Sequence, residues 1–238
     1  MKKIFFALGA LDIALLLVLS IVLLLQQNSP AQHVDSNAAF FVGNFHSHTT
    51  TSDGKNTYDE MIEAAKALGL DFLVITDHQQ IGNDTRAKCL EEKRLLCVIG
   101  EEISTTKGHL LAIGIVTEIP AGLSPEETIN RIHRQDGLAI PAHPESKKTG
   151  KTGWNGLDVT EIKKLQVDAV ECHQRGKESK NYVCDLLPNV PKVFDSDAHN
   201  TDALRNLASN CLLDNLSVEA LKKAVKEGKC KEFIPGAG

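Results

Sequence analysis

Residues 40–78 read FFVGNFHSHTTTSDGKNTYDEMIEAAKALGLDFLVITDH, and the fold is decided in this stretch. Phe40 to His46 is a short apolar run with the length of a strand. Over 57–68, Tyr58, Met61, Ile62, Ala65 and Leu68 recur at helical spacing and predict an amphipathic helix. Residues 71–76 are a second apolar, β-branched run and predict the next strand. His46 and His48 close the first strand as His-x-His. Positions i and i+2 of a strand share a face, so both imidazoles can reach one ion. Asp77 and His78 stand directly after the second strand, so this strand-helix-strand unit delivers chemical groups at both of its strand ends.

The same alternation continues outward. Strands are predicted near 95–99, 109–116, 138–142, 167–172, 191–195 and 210–213. Helices are predicted near 84–93, 125–136, 158–165, 177–187 and 217–228. Ser124 is an N-cap with Pro125 at the first helical position and Glu127 three residues on. Strand-helix alternation over about 200 residues argues for a parallel α/β sheet or barrel occupying 40–238. Its strand ends then carry Glu101-Glu102, His143 and Asp197-x-His199 as well. Singly, each has an ordinary explanation: a polar surface pair, a satisfied loop histidine, a helix cap. Jointly they bring imidazoles and carboxylates to one mouth of a parallel barrel, where active sites sit. Those ligand types suit zinc, manganese or iron, and the expectation is a multinuclear metal site.

Composition bounds the rest. The chain has 238 residues, net charge -5 and 42% hydrophobic content, a globular balance with no long Lys/Arg run. That excludes the electrostatic footprint of a nucleic-acid binder, so no duplex binding is expected and the partner is a small molecule. The apolar residues are uneven, because Ile4 to Leu25 is interrupted only by Gly9, Asp12 and Ser20 and is preceded by Lys2 and Lys3. A helix of that length is roughly 33 Å long, enough to span a bilayer. Residues 1–28 are therefore read as a membrane anchor or signal sequence and 29–39 as a linker. The catalytic domain is expected outside the cytoplasm, periplasmic or extracellular, and secreted if the segment is cleaved. The six cysteines form no CxxC pair and allow fifteen disulfide pairings, with buried free thiols as the alternative.

His46-Ser47-His48 with Asp53, Thr76-Asp77-His78, Gly100-Glu101-Glu102, Gly108-His109-Leu110, Ala142-His143-Pro144 and Ser196-Asp197-Ala198-His199 resemble the ordered motifs of the polymerase and histidinol phosphatase (PHP) superfamily. The resemblance covers roughly residues 40–229. It implies a distorted (β/α)7 TIM-like barrel, preceded here by one N-terminal hydrophobic helix, with two or three divalent ions at its mouth. It implies that His46, His48, Glu102 and Asp197 hold one metal, that Glu102 bridges to a second held by His109 and His143, and that Asp53, His78 and His199 hold a third. Glu102 is preferred to Glu101 because the family pattern is Gly-x-Glu.

The implied activity is that of a metal-dependent phosphoesterase acting on a small phosphate ester, a nucleotide or sugar phosphate, through a metal-activated hydroxide. Hydrolysis of carbamate or ester bonds, and a non-catalytic metal-binding module, are the alternatives. Asp77 is a candidate acid or an orienter of a ligand histidine, and Arg175 a candidate phosphate ligand. The polar segment from Glu145 to Gly156 is expected to overhang the mouth and choose the substrate.

Overall fold

The computed structural model describes residues 38–144, 155–172 and 182–236. The expected anchor (1–28), most of the linker, Arg175 and positions 145–154 of the overhanging segment lie outside the described residues. Among the described residues no helix is long and apolar enough to cross a membrane.

The described chain contains nine strands: β1 (Ala39–Asn44), β2 (Phe72–Ile75), β3 (Leu96–Ser104), β4 (His109–Ile113), β5 (Leu138–Pro141), β6 (Val170–Cys172), β7 (Lys192–Phe194), β8 (Ala208–Leu213) and β9 (Cys230–Phe233). Seven of them form one sheet in the order β5-β4-β3-β2-β1-β8-β9, curled into a half-barrel, while β6 and β7 form a separate parallel pair. Side chains link the two sheets where the ladder stops. Asp168 donates its N–H to Ala139 O at 3.0 Å and accepts from Ala139 N at 2.8 Å, joining the β6 side to β5. The buried Ser209 hydroxyl does the same between β7 and β8, at 2.7 Å from Phe194 N and 2.8 Å from Phe194 O.

The expectation of a parallel sheet needs correction. β1, β2 and β3 are parallel, but β4 runs antiparallel to both β3 and β5, and β8 antiparallel to β1 and β9. The cause at β4 is the link from Ser104 to His109, closed by Thr105 N–H on Gly108 O at 3.0 Å. A turn that short reverses the chain, whereas a parallel neighbour needs a crossover of about a dozen residues. Gly114, at φ 74°, ends β4 three residues before the predicted limit.

The helices are α1 (Tyr58–Ala67), α2 (Asn83–Glu91), α3 (Pro125–His133), α4 (Val159–Ile162), α5 (Tyr182–Asp185) and α6 (Val218–Lys226), with a 3-10 turn at Thr201–Arg205. Local chemistry starts them where expected. Thr57 and Glu60 form a reciprocal capping box for α1, and Ser124 caps α3 ahead of Pro125. α4 is a single turn, much shorter than 158–165. Of the helix expected at 177–187, residues 182–187 fall within the described residues, and Tyr182–Asp185 of them are helical.

All four residues of β2 are buried, and they divide by parity. Phe72 and Val74 join Phe45, Leu111, Ile113 and the α6 residues Leu221 and Val225, whereas Leu73 and Ile75 join Met61 and Ile62 of α1. A sheet covered on both faces reads as a continuous apolar run, which is what β2 is. Gly43 lets β1 approach it, since a Cβ there would lie 2.3 Å from the Phe72 ring.

Three disulfides, Cys89–Cys97, Cys172–Cys184 and Cys211–Cys230, use all six cysteines, so the free-thiol alternative does not hold. Cys211 and Cys230 are direct cross-strand partners on β8 and β9. They fasten a four-residue edge strand with three exposed positions, too polar to be read from periodicity. Thiol titration of the unreduced, denatured protein should find no reactive sulfhydryl. Six equivalents per chain would contradict the pairing.

Candidate metal centre

The residues singled out as ligands converge. His46 and His48 follow β1, with a parallel bridge between Ser47 and Ala198 holding this segment beside the one after β7. Asp53 sits in the loop leading to α1, His78 follows β2, His143 follows β5, and Asp197 and His199 follow β7. Glu102 lies inside β3 instead of after it, because pairing with β4 carries the strand on to Ser104. His109 opens β4, as expected.

Glu102 is the centre of the arrangement, at 1% exposure. Its Oε2 lies 3.2 Å from His46 Nε2, 3.3 Å from His48 Nε2 and 3.2 Å from His78 Nδ1. Its Oε1 lies 2.7 Å from His109 Nδ1 and 2.8 Å from His143 Nε2. Asp197 Oδ1 lies 3.4 Å from both His46 Nε2 and His48 Nε2. Asp53 Oδ2 is 3.6 Å from His78 Nε2 and 3.4 Å from His199 Nε2, and its Oδ1 is 3.5 Å from His48 Nδ1. Donor atoms within 4.8 Å of one another form groups that could hold a metal ion: His48, Asp53, His78 and His199; His46, His48 and Glu102; His78, Glu102 and His109; and His46, Glu171 and Asp195.

Hydrogen bonding alone accounts poorly for this crowding. A carboxylate has about four lone-pair sites, and five ring nitrogens address this one. His46 Nε2 and His48 Nε2 are 3.0 Å apart, and both are directed at the same Glu102 oxygen. Lone pairs aimed at common points in a buried pocket fit a divalent cation, and imidazole with carboxylate suits zinc, manganese or iron. Backbone strain gathers here too, with Gln79 (φ 50°), His143 (φ 28°) and Asp197 (φ 47°) in the left-handed region.

The charges respond to one another. Burial, the largest influence on His46, lowers its pKa, but Asp197, Glu102 and Glu171 together outweigh it and hold the ring well above its ordinary value. His48 is likewise opposed by burial, yet hydrogen bonds to Asp197 and Glu102 raise it to about 9. Glu102 moves the other way: burial would raise it, but the surrounding imidazoles hold it well below the ordinary carboxylate range.

Strand alternation separates the adjacent glutamates. Glu101 points away from the cluster and accepts from Ile119 N at 3.0 Å. Burial, with Glu118 adding and the Ile119 N–H opposing, pushes it up to about 7. Asp77 is buried and accepts from Thr49 N at 2.8 Å, Thr49 Oγ1 at 2.7 Å and Ser52 Oγ at 2.6 Å, which orders the loop carrying His48 and Asp53.

Two buried carboxylates escaped the sequence reading, Glu171 in β6 and Asp195 just after β7. Burial drives Asp195 well above its ordinary value with the Glu171 charge adding, while His46 and the hydrogen bond from Asp195 overcome burial and take Glu171 down to about 2. The signal for Glu171 was a lone carboxylate inside the apolar run Ala169-Val170-Glu171-Cys172.

A curled α/β sheet whose strand ends converge on buried imidazoles and carboxylates defines a class, the metal-binding α/β half-barrels. Residues 44–151 match the family model for the PHP domain, and that match supports the PHP superfamily, whose members are generally metal-dependent phosphoesterases. An uncharacterized protein of Methanocaldococcus jannaschii is 44% identical over 112 residues, 47% of this chain and 62% of that protein. Phosphoribosyl 1,2-cyclic phosphate 1,2-diphosphodiesterase of Eggerthella lenta is 31% identical over 87 residues, 34% of this chain and 33% of that one. The chain thus spans less than two thirds of either relative. Among solved structures, a two-domain Bacteroides vulgatus protein containing a predicted PHP-like metal-dependent phosphoesterase superposes with TM-score 0.64 at 16% identity, covering 84% of this chain and 66% of that one. The lesion-specific endonuclease Q of Pyrococcus furiosus gives TM-score 0.64 at 17% identity over 82% of this chain and 58% of that one. At those identities the likeness is one of fold.

The raised histidines set a sign. Metal-free His48 keeps its proton up to about pH 9, against 6.5 for an ordinary histidine, so a cation binding at pH 7 must displace it. Calorimetric titration with Mn or Zn in buffers of different ionisation enthalpy should show net proton release at pH 7, with affinity rising toward pH 9. Binding heat independent of buffer would contradict this.

Proposed function

We propose that this chain is a metal-dependent phosphoesterase that hydrolyses a small phosphate ester of the nucleotide or sugar phosphate class. The observation that carries the reading is the buried Glu102 carboxylate, facing five imidazoles at one edge of an open cleft. That cleft, about 480 Å³, is bounded by Thr51, Ser52, Asp53, His78, Gln79 and His109 among others. Its volume falls in the range of small-molecule sites.

In this reading His46, His48, Glu102 and Asp197 would hold one cation, Glu102 with His109 and His143 a second, and Asp53, His78 and His199 a third. Divalent cations there supply a lowered water pKa and neutralise the non-bridging phosphoester oxygens. The protein's part is positioning. Ser104 Oγ, 3.2 Å from His109 Nε2 and accepting from Gln79 Nε2 at 2.8 Å, orients His109. Hydroxyls and amides on the cleft wall match the hydroxyls of a sugar. Asp77 serves by ordering the 48–53 loop, and Arg175 is proposed as a phosphate ligand. The endonuclease likeness concerns fold, and the acidic net charge favours a small ester over duplex DNA.

We further propose that residues 4–25 anchor the chain and that the hydrolase domain works outside the cytoplasm. Three disulfides support this, since such bonds persist mainly in oxidising compartments.

The test is a panel of phosphomonoesters, phosphodiesters, aryl esters, carbamates and short DNA duplexes with Mn- or Zn-loaded protein. Turnover of phosphate esters is expected, abolished by chelation and restored by the metal, with His46→Ala lowering kcat roughly 10²-fold or more. Turnover of carbamates or esters alone would move the reaction to that bond. Metal binding with no turnover at all would leave a binding module.

A further inference from the structure

Glu171 belongs to β6, pairs through its backbone with Val193 of β7, and its side chain is fully buried behind the cluster. A single oxygen, Oε2, lies 3.2 Å from His46 Nδ1 and accepts the backbone N–H of His143 at 2.6 Å. Those two histidines follow different strands, β1 and β5, and both direct Nε2 at Glu102, at 3.2 Å and 2.8 Å. Their rings stack with centroids 5.8 Å apart.

The geometry constrains the tautomer of His46. Nε2 faces Glu102, His48 and Asp197, the side where a cation would sit, and only an unprotonated nitrogen coordinates one. The ring proton then belongs on Nδ1, where Glu171 accepts it. The same carboxylate fixes His143 by its main chain. His143 occupies φ 28°, a conformation costly for a residue with a Cβ, and the short bond from its N–H to Glu171 holds it there. Asp195, buried in the same group of close donor atoms as His46 and Glu171, lies beside the carboxylate. The Cys172–Cys184 bridge fastens the residue that follows Glu171.

We infer that Glu171 is a positioning residue that sets the Nδ1–H tautomer of His46 and the backbone of His143, so that both rings present Nε2 to a divalent cation. The inference rests on the proposed metal site. It adds a carboxylate that touches neither substrate nor cation and acts through two rings at once. Partners of this kind change metal affinity or activity about 10- to 100-fold when replaced.

The experiment uses the full chain loaded with Zn, which is diamagnetic, and ¹⁵N-labelled histidine. In the wild type, long-range ¹H–¹⁵N spectra should show His46 with a protonated Nδ1 and a coordinated Nε2. Glu171→Gln keeps the shape and removes the charge. It should weaken Zn, measured by competition with a chelator, about 10- to 100-fold and disturb the His46 and His143 ring signals while His199 is unmoved. A wild-type His46 protonated on Nε2, or coordinated through Nδ1, overturns the inference whether or not the variant folds. A folded Glu171→Gln protein with wild-type Zn affinity and unchanged His46 signals overturns it as well. Failure of the wild type to bind Zn at all would instead strike the proposed function beneath it.

Discussion

A carboxylate at 1% exposure, enclosed by five imidazoles, is the constraint on which the described structure turns. An ionised carboxylate is costly to bury unless its charge is compensated, and here the compensating rings come from the ends of β1, β2 and β5 and from the first residue of β4. Strand order brings those ends together. β1, β2 and β3 lie side by side and parallel, and the β3–β4 hairpin places His109 seven residues beyond Glu102 yet 2.7 Å from it. A shift of one residue in β3 would exchange Glu102 for Glu101, which is buried beside Glu118 and accepts one backbone N–H, from Ile119.

Surrounding residues hold that arrangement rigid. Asp77 draws the 48–53 loop together through three hydrogen bonds, Ser104 supports His109, and Glu171 stands behind His46 and His143. Positive φ at Gln79, His143 and Asp197 shows strain concentrated beside the cluster, sustained by the buried strands under it. The disulfides tie the edge strand β9 to β8, α2 to the start of β3, and the last residue of β6 to α5.

Much of this was legible in the residues. β2 is a continuous apolar run because both faces of the sheet are covered, and α1 and α3 carry their own start signals in Thr57, Glu60, Ser124 and Pro125. The ligand candidates stood out because imidazoles and carboxylates recur at the ends of apolar runs. Strand direction was not legible, since a run of β-branched residues carries no sign and only the short turn before His109 betrays the hairpin. β9 escaped because three of its four side chains are exposed, and its pairing depends on Cys211 and Cys230 meeting across the sheet. Glu171 and Asp195 escaped because their role exists only in three dimensions, behind a ring supplied from more than a hundred residues away.

The central claim is that Glu102 is the shared ligand of a multinuclear metal cluster. Anomalous diffraction from crystals of the zinc-loaded protein, recorded on both sides of the zinc edge, tests it most directly. The account predicts at least two strong peaks flanking the Glu102 carboxylate, one beside His46 and His48 and the other beside His109 and His143. A single peak away from Glu102, or zinc only at surface histidines, would contradict it.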